Sequence, residues 1–232
     1  MKTHQKMKRI ITAIVFTAIL ISCNSSDKNK NALEESSSTE TVTDSTSNDV
    51  KKQLKAIDTD EALIATALMA APEESRANSK VIGYNMAGEF VTLKEGDNQF
   101  IVLADNPKQD GFSAACYHKD LEPFMARGRA LRAEGKSEKE VLDIREAEMK
   151  SGQIKITPGS TLHIYYGAET VYDPETSKVE GAQLRYVIYM PWATSESTGL
   201  PNIPMAKNHP WIMNPGTHRA HIMISPLPED KD

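Results

Sequence analysis

Cys116 and His118 stand two residues apart in "SAACYHKD" (Ser113–Asp120). In an extended segment such residues share a face. A thiol and an imidazole at that spacing offer a nucleophile pair, or two ligands for a soft metal. The plainer reading is an inert buried thiol beside a satisfied histidine, because free cysteine is among the most buried residue types. A second set closes the chain. In "PGTHRAHIMIS" (Pro215–Ser225) a strand would put His221 and Met223 on one face and His218 on the other. With Met205, His209 and Met213 they make the last quarter rich in soft and borderline ligands, the donor types of extracytoplasmic copper or zinc sites. Methionine also fills gaps in ordinary cores, and no fixed metal spacing such as CxxC or HExxH occurs.

Two further groups can touch a ligand. The stretch from Pro191 to Gly216 holds five prolines and both tryptophans, Trp192 and Trp211. A loop this long inside a domain is usually functional or disordered. Trp192 and Trp211 would floor a pocket, or simply be buried where the loop wraps a sheet edge. Arg127, Arg129 and Arg132 fall on one predicted helix and Arg145 on the next. Arg129 and Arg132, three apart, can hold an anion, or can form a solvated ion-paired face with Glu122, Glu134 and Glu148. The chain has no P-loop, no GxSxG and no dinucleotide fingerprint. Whether it is an enzyme, and which cofactor if any it uses, is left open by these residues.

The elements that must position these groups read as follows. "TDEALIATALMAAPEES" is a predicted helix capped by Thr59 or Asp58 and ended by Pro72. Short strands "KVIGYN", "EFVTLK" and "QFIVLA" follow, with Glu95–Asn98 predicted as a hairpin turn between the last two. Asp120–Glu134 and a helix opening on the capping box at Ser137 form a predicted helical hairpin. Its inner face would set Phe124, Gly128 and Leu131 against Val141, Ile144 and Met149. The period then changes to two, and "QIKIT", "TLHIYYG", "LRYVIYM" and "HRAHIMIS" read as strands. Helices grouped between strand groups predict an α+β fold with a largely antiparallel sheet, an N-terminal helix and a central helical hairpin.

The chain begins differently. Lys6 to Arg9 form a basic patch, and Ile10 to Ile21 is a twelve-residue apolar run, too short for a hydrocarbon core of about 30 Å. It ends in Leu20-Ile21-Ser22-Cys23, which resembles the lipobox of bacterial lipoproteins. That resemblance implies cleavage after Ser22 and acylation of Cys23, whose lipid chains would anchor the protein to a membrane. It also implies a cell-envelope, extracytoplasmic location, with the outer membrane ranked ahead of the inner. Asn24 to Asn48 is almost wholly Ser, Thr, Asn, Asp, Glu and Lys, a predicted disordered tether. The expected organisation is therefore a signal peptide at 1–22, lipidated Cys23 and tether at 23–48, and one globular domain at 49–232.

The four basic residues of the leader account for part of the cationic total. Without them 23 basic residues face 32 acidic ones, a net charge of −9. That sign argues against nucleic acid and against a polybasic grip on anionic lipid. With Cys23 acylated, Cys116 has no partner for an intramolecular disulfide. The body is similar in outline to a group of uncharacterised secreted bacterial proteins, through "AAP" (Ala70–Pro72), "LADNP" (Leu103–Pro107), Cys116 and "MNPGTHRAHIMISP" (Met213–Pro226). That resemblance implies an extracytoplasmic domain and carries no activity. The expectation is a membrane-anchored module that binds a small molecule or a protein partner. A metal-handling protein and a thiol enzyme are the alternatives. A Cys23→Ser variant should lose detergent-phase partitioning; unchanged partitioning would contradict the anchor.

Overall fold

Thr59 sits in an extended conformation and its hydroxyl accepts the Ala62 N–H, which starts helix α1 (Asp60–Ala67) where a cap was expected. The helix tightens into a 3-10 turn over Leu68–Ala70 and ends before Pro72. The computed structural model describes residues 53–226, within a unit spanning Asp49–Asp232. The leader, Cys23 and the tether lie outside the described residues.

The body is α+β. Strands β2 (Lys80–Tyr84), β3 (Phe90–Lys94), β4 (Phe100–Leu103), β5 (Phe112–His118), β6 (Thr161–Gly167), β8 (Gln183–Tyr189), β9 (Trp211–Met213) and β10 (His221–Ile224) form one sheet in the order β3-β2-β4-β5-β6-β8-β10-β9. A two-residue strand, β1 (Lys55–Ala56), pairs separately with β7 (Val171–Tyr172). Every neighbour in the large sheet is antiparallel except β2 and β4. Helices α2 (Glu122–Ala133) and α3 (Glu138–Lys150) make the expected hairpin, with Gly135 left-handed after α2 and Ser137 and Glu140 closing the capping box of α3.

Alternation along the strands sorts side chains into two cores. On one face Ala67, Ala70 and Ala71 pack on Val81, Val102, Ala114 and Cys116, the small alanines letting the helical segment lie close to the sheet. On the other, Tyr117, Leu121, Phe124, Leu162, Val187 and Met223 form the core beneath the hairpin. Each large apolar side chain buried there contributes about 1.5–3 kcal/mol, so this core holds α2 and α3 against the sheet.

Four expectations are corrected. Glu95–Asn98 does not join a hairpin: β4 crosses to the far side of β2 and runs parallel to it. The crossing segment bonds Asn78 through the N–H groups of Asp97 and Asn98. Gly96 lies so close to the backbone of Asn78, Ser79 and Lys80 that a Cβ would collide with it. "QIKIT" is not a strand; Ile154 and Ile156 still alternate into the core, but the segment joins no ladder. The last strand starts at His221, because Gly216 to Ala220 turns. The stretch 191–216 is not featureless, since it carries a short helix, α4 (Ser195–Thr198), and β9.

Replacing Gly96 with Ala should lower unfolding free energy by about 1–3 kcal/mol, the usual range for overpacking. Chemical denaturation measures this; an unchanged midpoint would mean the crossing is looser than described.

Candidate functional site

Strand alternation puts Cys116 on the α1 face and Tyr117 on the hairpin face. Cys116 is 1% exposed, and burial pushes its thiol up to about 12. His118 shares that face, as the spacing predicts, yet its Nδ1 accepts the Asp120 N–H at 3.3 Å and its ring meets Phe100. The residue opposite Cys116 in the β5–β6 ladder is His163, which the sequence reading passed over. Its ring bonds the Ala70 carbonyl, and burial lowers its pKa. Among the described residues neither imidazole hydrogen-bonds the Cys116 thiol, in keeping with the plainer reading of an inert buried thiol.

The C-terminal set is also dispersed. His221 and Met223 share the hairpin face, whereas Cys116 lies across the sheet and cannot join them. Met205 is exposed and Met223 is packed in the core. His218, expected on the opposite face, reaches the hairpin side from the turn, where Nδ1 lies 3.4 Å from Glu146 and the ring contacts Phe124 and Trp192. Among the described residues no three His, Cys, Asp or Glu side chains gather as a metal site. Neither Trp192 nor Trp211 lines the cavity between the sheet and the hairpin. Trp192 is exposed beside Lys150 at a left-handed φ of 69°, and Trp211 packs against the hairpin-side core.

What converges instead is arginine. A cavity of about 270 Å³ opens between sheet and hairpin, lined on one side by Leu103, Ala115, Met125 and Leu162. Arg129 and Arg132 from α2, Arg145 from α3 and Arg219 from the turn before β10 line it as well, with Tyr117, Tyr189 and His221. Met125, Arg129 and Arg132 come four and three apart along α2 and so share one stripe. Phe124, Gly128 and Leu131 are the buried stripe, as expected. On α3 the fully buried positions are Val141, Arg145 and Glu148; Met149 packs against the hairpin-side core as expected, while Ile144 is only half-buried.

Those two buried charges are treated unequally. Glu148 is held by Arg127 through contacts of 2.8 and 2.9 Å. Arg145, only 7% exposed, has no carboxylate partner among the described residues. Its guanidinium lies 4.0 Å above the Phe124 ring, one N–H reaches the Phe124 carbonyl at 3.4 Å, and its Nε is buried with no partner. Burial lowers its pKa; Arg132 and Arg219 add to this, while Tyr189 and the Glu138 carboxylate oppose it. A guanidinium stays charged even so. Arg129 is paired with Glu122, as the ion-paired reading expected, and Arg132 with Glu138, a carboxylate that reading did not name, each at 2.6 Å. Arg219 has only the Asn214 side-chain oxygen, at 3.1 Å.

His221 completes the wall. Its Nδ1 lies 2.8 Å from the Arg219 carbonyl, which can only accept, so Nδ1 carries the proton and Nε2 keeps its lone pair. Burial lowers its pKa, with the Arg219 carbonyl opposing. No protein-family model matches this chain, and neither curated proteins nor solved structures gave a match. The site rests on its own geometry.

His163, His218 and His221 all have folded-state pKa values pushed down mainly by burial. Below about pH 6.5 the unfolded chain takes up protons that the folded one refuses. Stability from these groups is present above that pH and should be lost as the pH falls below it. Denaturant titrations from about pH 8 to pH 5 test this, and His221→Gln should flatten the slope. A pH-independent midpoint would contradict the buried neutral imidazoles.

Proposed function

We propose that this protein is a lipid-anchored, extracytoplasmic lipoprotein of the cell envelope whose body binds a small anionic ligand in the arginine-lined cavity. The anchor rests on the leader ending at Cys23, and the outer membrane remains the preferred location. Consistent with anchoring by lipid, no helix among the described residues is long and apolar enough to cross a membrane.

One observation carries the ligand reading: Arg145 is a buried cation with no carboxylate in contact among the described residues, and the nearby charge of Glu138 is already paired with Arg132. Desolvating an ion costs several kcal/mol, and an opposing charge normally offsets it. Here the cation faces a cavity, with Arg132 and Arg219 on the same wall. An anion entering it would meet preformed donors in a fixed fork geometry. The apolar wall formed by Leu103, Ala115, Met125 and Leu162 suits the organic part of a small molecule. Binding needs neither a nucleophile nor a metal, and the buried Cys116 supports neither.

Arg145→Met keeps the side-chain length and removes the charge, and swapping a poorly paired buried ion for an apolar residue is often neutral or stabilising. The variant should unfold within about 1 kcal/mol of the wild type, or later. It should also lose the thermal stabilisation that small anions give the wild type at matched ionic strength. That stabilisation reaches about 2.7 kcal/mol at a hundredfold excess over Kd. Equal anion stabilisation of both proteins would contradict the site.

A further inference from the structure

The charge balance of the cavity says more about its ligand, on the reading that it binds an anion. Two of the four arginines are already answered, Arg129 by Glu122 and Arg132 by Glu138. Arg145 and Arg219 have no carboxylate partner among the described residues. The cavity therefore presents two arginines with no carboxylate in contact, the charge of Glu138 being shared among Arg132, Arg145 and Arg219, and a ligand that completes their pairing carries two negative charges.

The arrangement also says how those charges are spaced. Position 128 is a glycine in the middle of a helix, where alanine would be the more stable choice. A Cβ there would stand 2.9 Å from an Arg145 terminal nitrogen and 3.2 Å from one of Arg132. The bare glycine thus lets two guanidinium groups close in on one point, although like charges repel. Arg219 lines the same cavity. Crowded cations suit one compact group bearing both charges, whereas a dicarboxylate spreads its charges along a chain. A phosphoryl group is compact, carries close to two negative charges at neutral pH, and has three strong acceptor oxygens. Leu103, Ala115 and Leu162, on the sheet side of the cavity, would receive the organic part.

We infer that the ligand is a phosphomonoester with a small, largely apolar organic part, its phosphoryl group held by Arg132, Arg145 and Arg219. The ester is either a soluble metabolite or the headgroup of an anionic lipid such as phosphatidic acid, since both present the same group.

The test is calorimetric titration of the full chain in non-ionic detergent, at fixed ionic strength and about pH 8, where a phosphomonoester is fully ionised. Phenyl phosphate, phenyl sulfate and succinate are the probes. Phenyl phosphate should bind at least about tenfold more tightly than either of the others. Arg219→Gln should erase that preference, and Gly128→Ala, which crowds Arg145 without removing a charge, should weaken it. Phenyl sulfate binding as tightly as phenyl phosphate would overturn the dianion assignment while leaving an anion site. Tighter binding of succinate would overturn the compact group in favour of a dicarboxylate. If none of the three bound, the anion reading itself would fall. Displacement of phenyl phosphate by vesicles containing phosphatidic acid would support the claim with a lipid as the source. Binding without displacement would support it with a soluble ester.

Discussion

A buried guanidinium with no carboxylate paired to it is the constraint around which the hairpin side of this protein is arranged. Arg145 lies under α2 where a helix interface would ordinarily place an aliphatic side chain. It rests on the face of Phe124, at 4.0 Å, and donates to that residue's carbonyl. A cation over an aromatic ring gains roughly 0.5–2 kcal/mol, less than the several kcal/mol that desolvation takes. The remainder must come from the packing around it. Phe124, Leu121, Leu131 and Val141, all nearly fully buried, clamp the hairpin to the sheet and to itself. The fold thus holds a charge in place that by itself would rather be in water.

The sheet makes this possible by keeping two environments apart. Its α1 face is lined with alanine, valine and the inert Cys116, so the helical segment closes down tightly and leaves little room. Its hairpin face carries the larger side chains, and their uneven heights leave the cavity between Leu103, Ala115 and Leu162 below and α2 above. Gly128 removes the one side chain that would fill the gap between Arg132 and Arg145. The turn from Gly216 to Ala220 delivers Arg219 to the rim, and the carbonyl of the same residue fixes the tautomer of His221. Arg127 and Glu148 form an ordinary satisfied pair on the same hairpin, which sets off the unpartnered state of Arg145.

Much of this was legible in the sequence where the cause is local. The Thr59 cap, the Ser137 capping box, Gly135 after α2 and the alternation in β5, β6 and β8 are set by neighbours within four residues. So is the buried stripe Phe124, Gly128 and Leu131. The crossing of β4 over the start of β2 was not legible. Glu95–Asn98 is good turn material, and only the close approach of Gly96 to Lys80 shows that the chain passes over a strand instead of reversing beside one. The site itself was half legible. Arg129 and Arg132 are visible as an anion-binding pair on one helix stripe. Arg145 reads as a surface charge because nothing in its neighbourhood predicts burial, and Arg219 and His221 join the group only through tertiary structure. Attention went instead to Cys116 with His118, whose shared face was foreseen correctly. Whether that face met solvent or core was not something spacing could reveal.

The proposed function depends on whether the Nε–H of Arg145 is waiting for an acceptor. The most direct measurement is the NMR signal of the arginine Nε–H groups in the folded protein, recorded as phenyl phosphate is added. The account predicts that the Arg145 resonance moves strongly downfield and exchanges more slowly with water as the site fills. The resonances of Arg127, already bonded to Glu148, should stay where they are. An Arg145 signal that does not move while the probe binds elsewhere would contradict it.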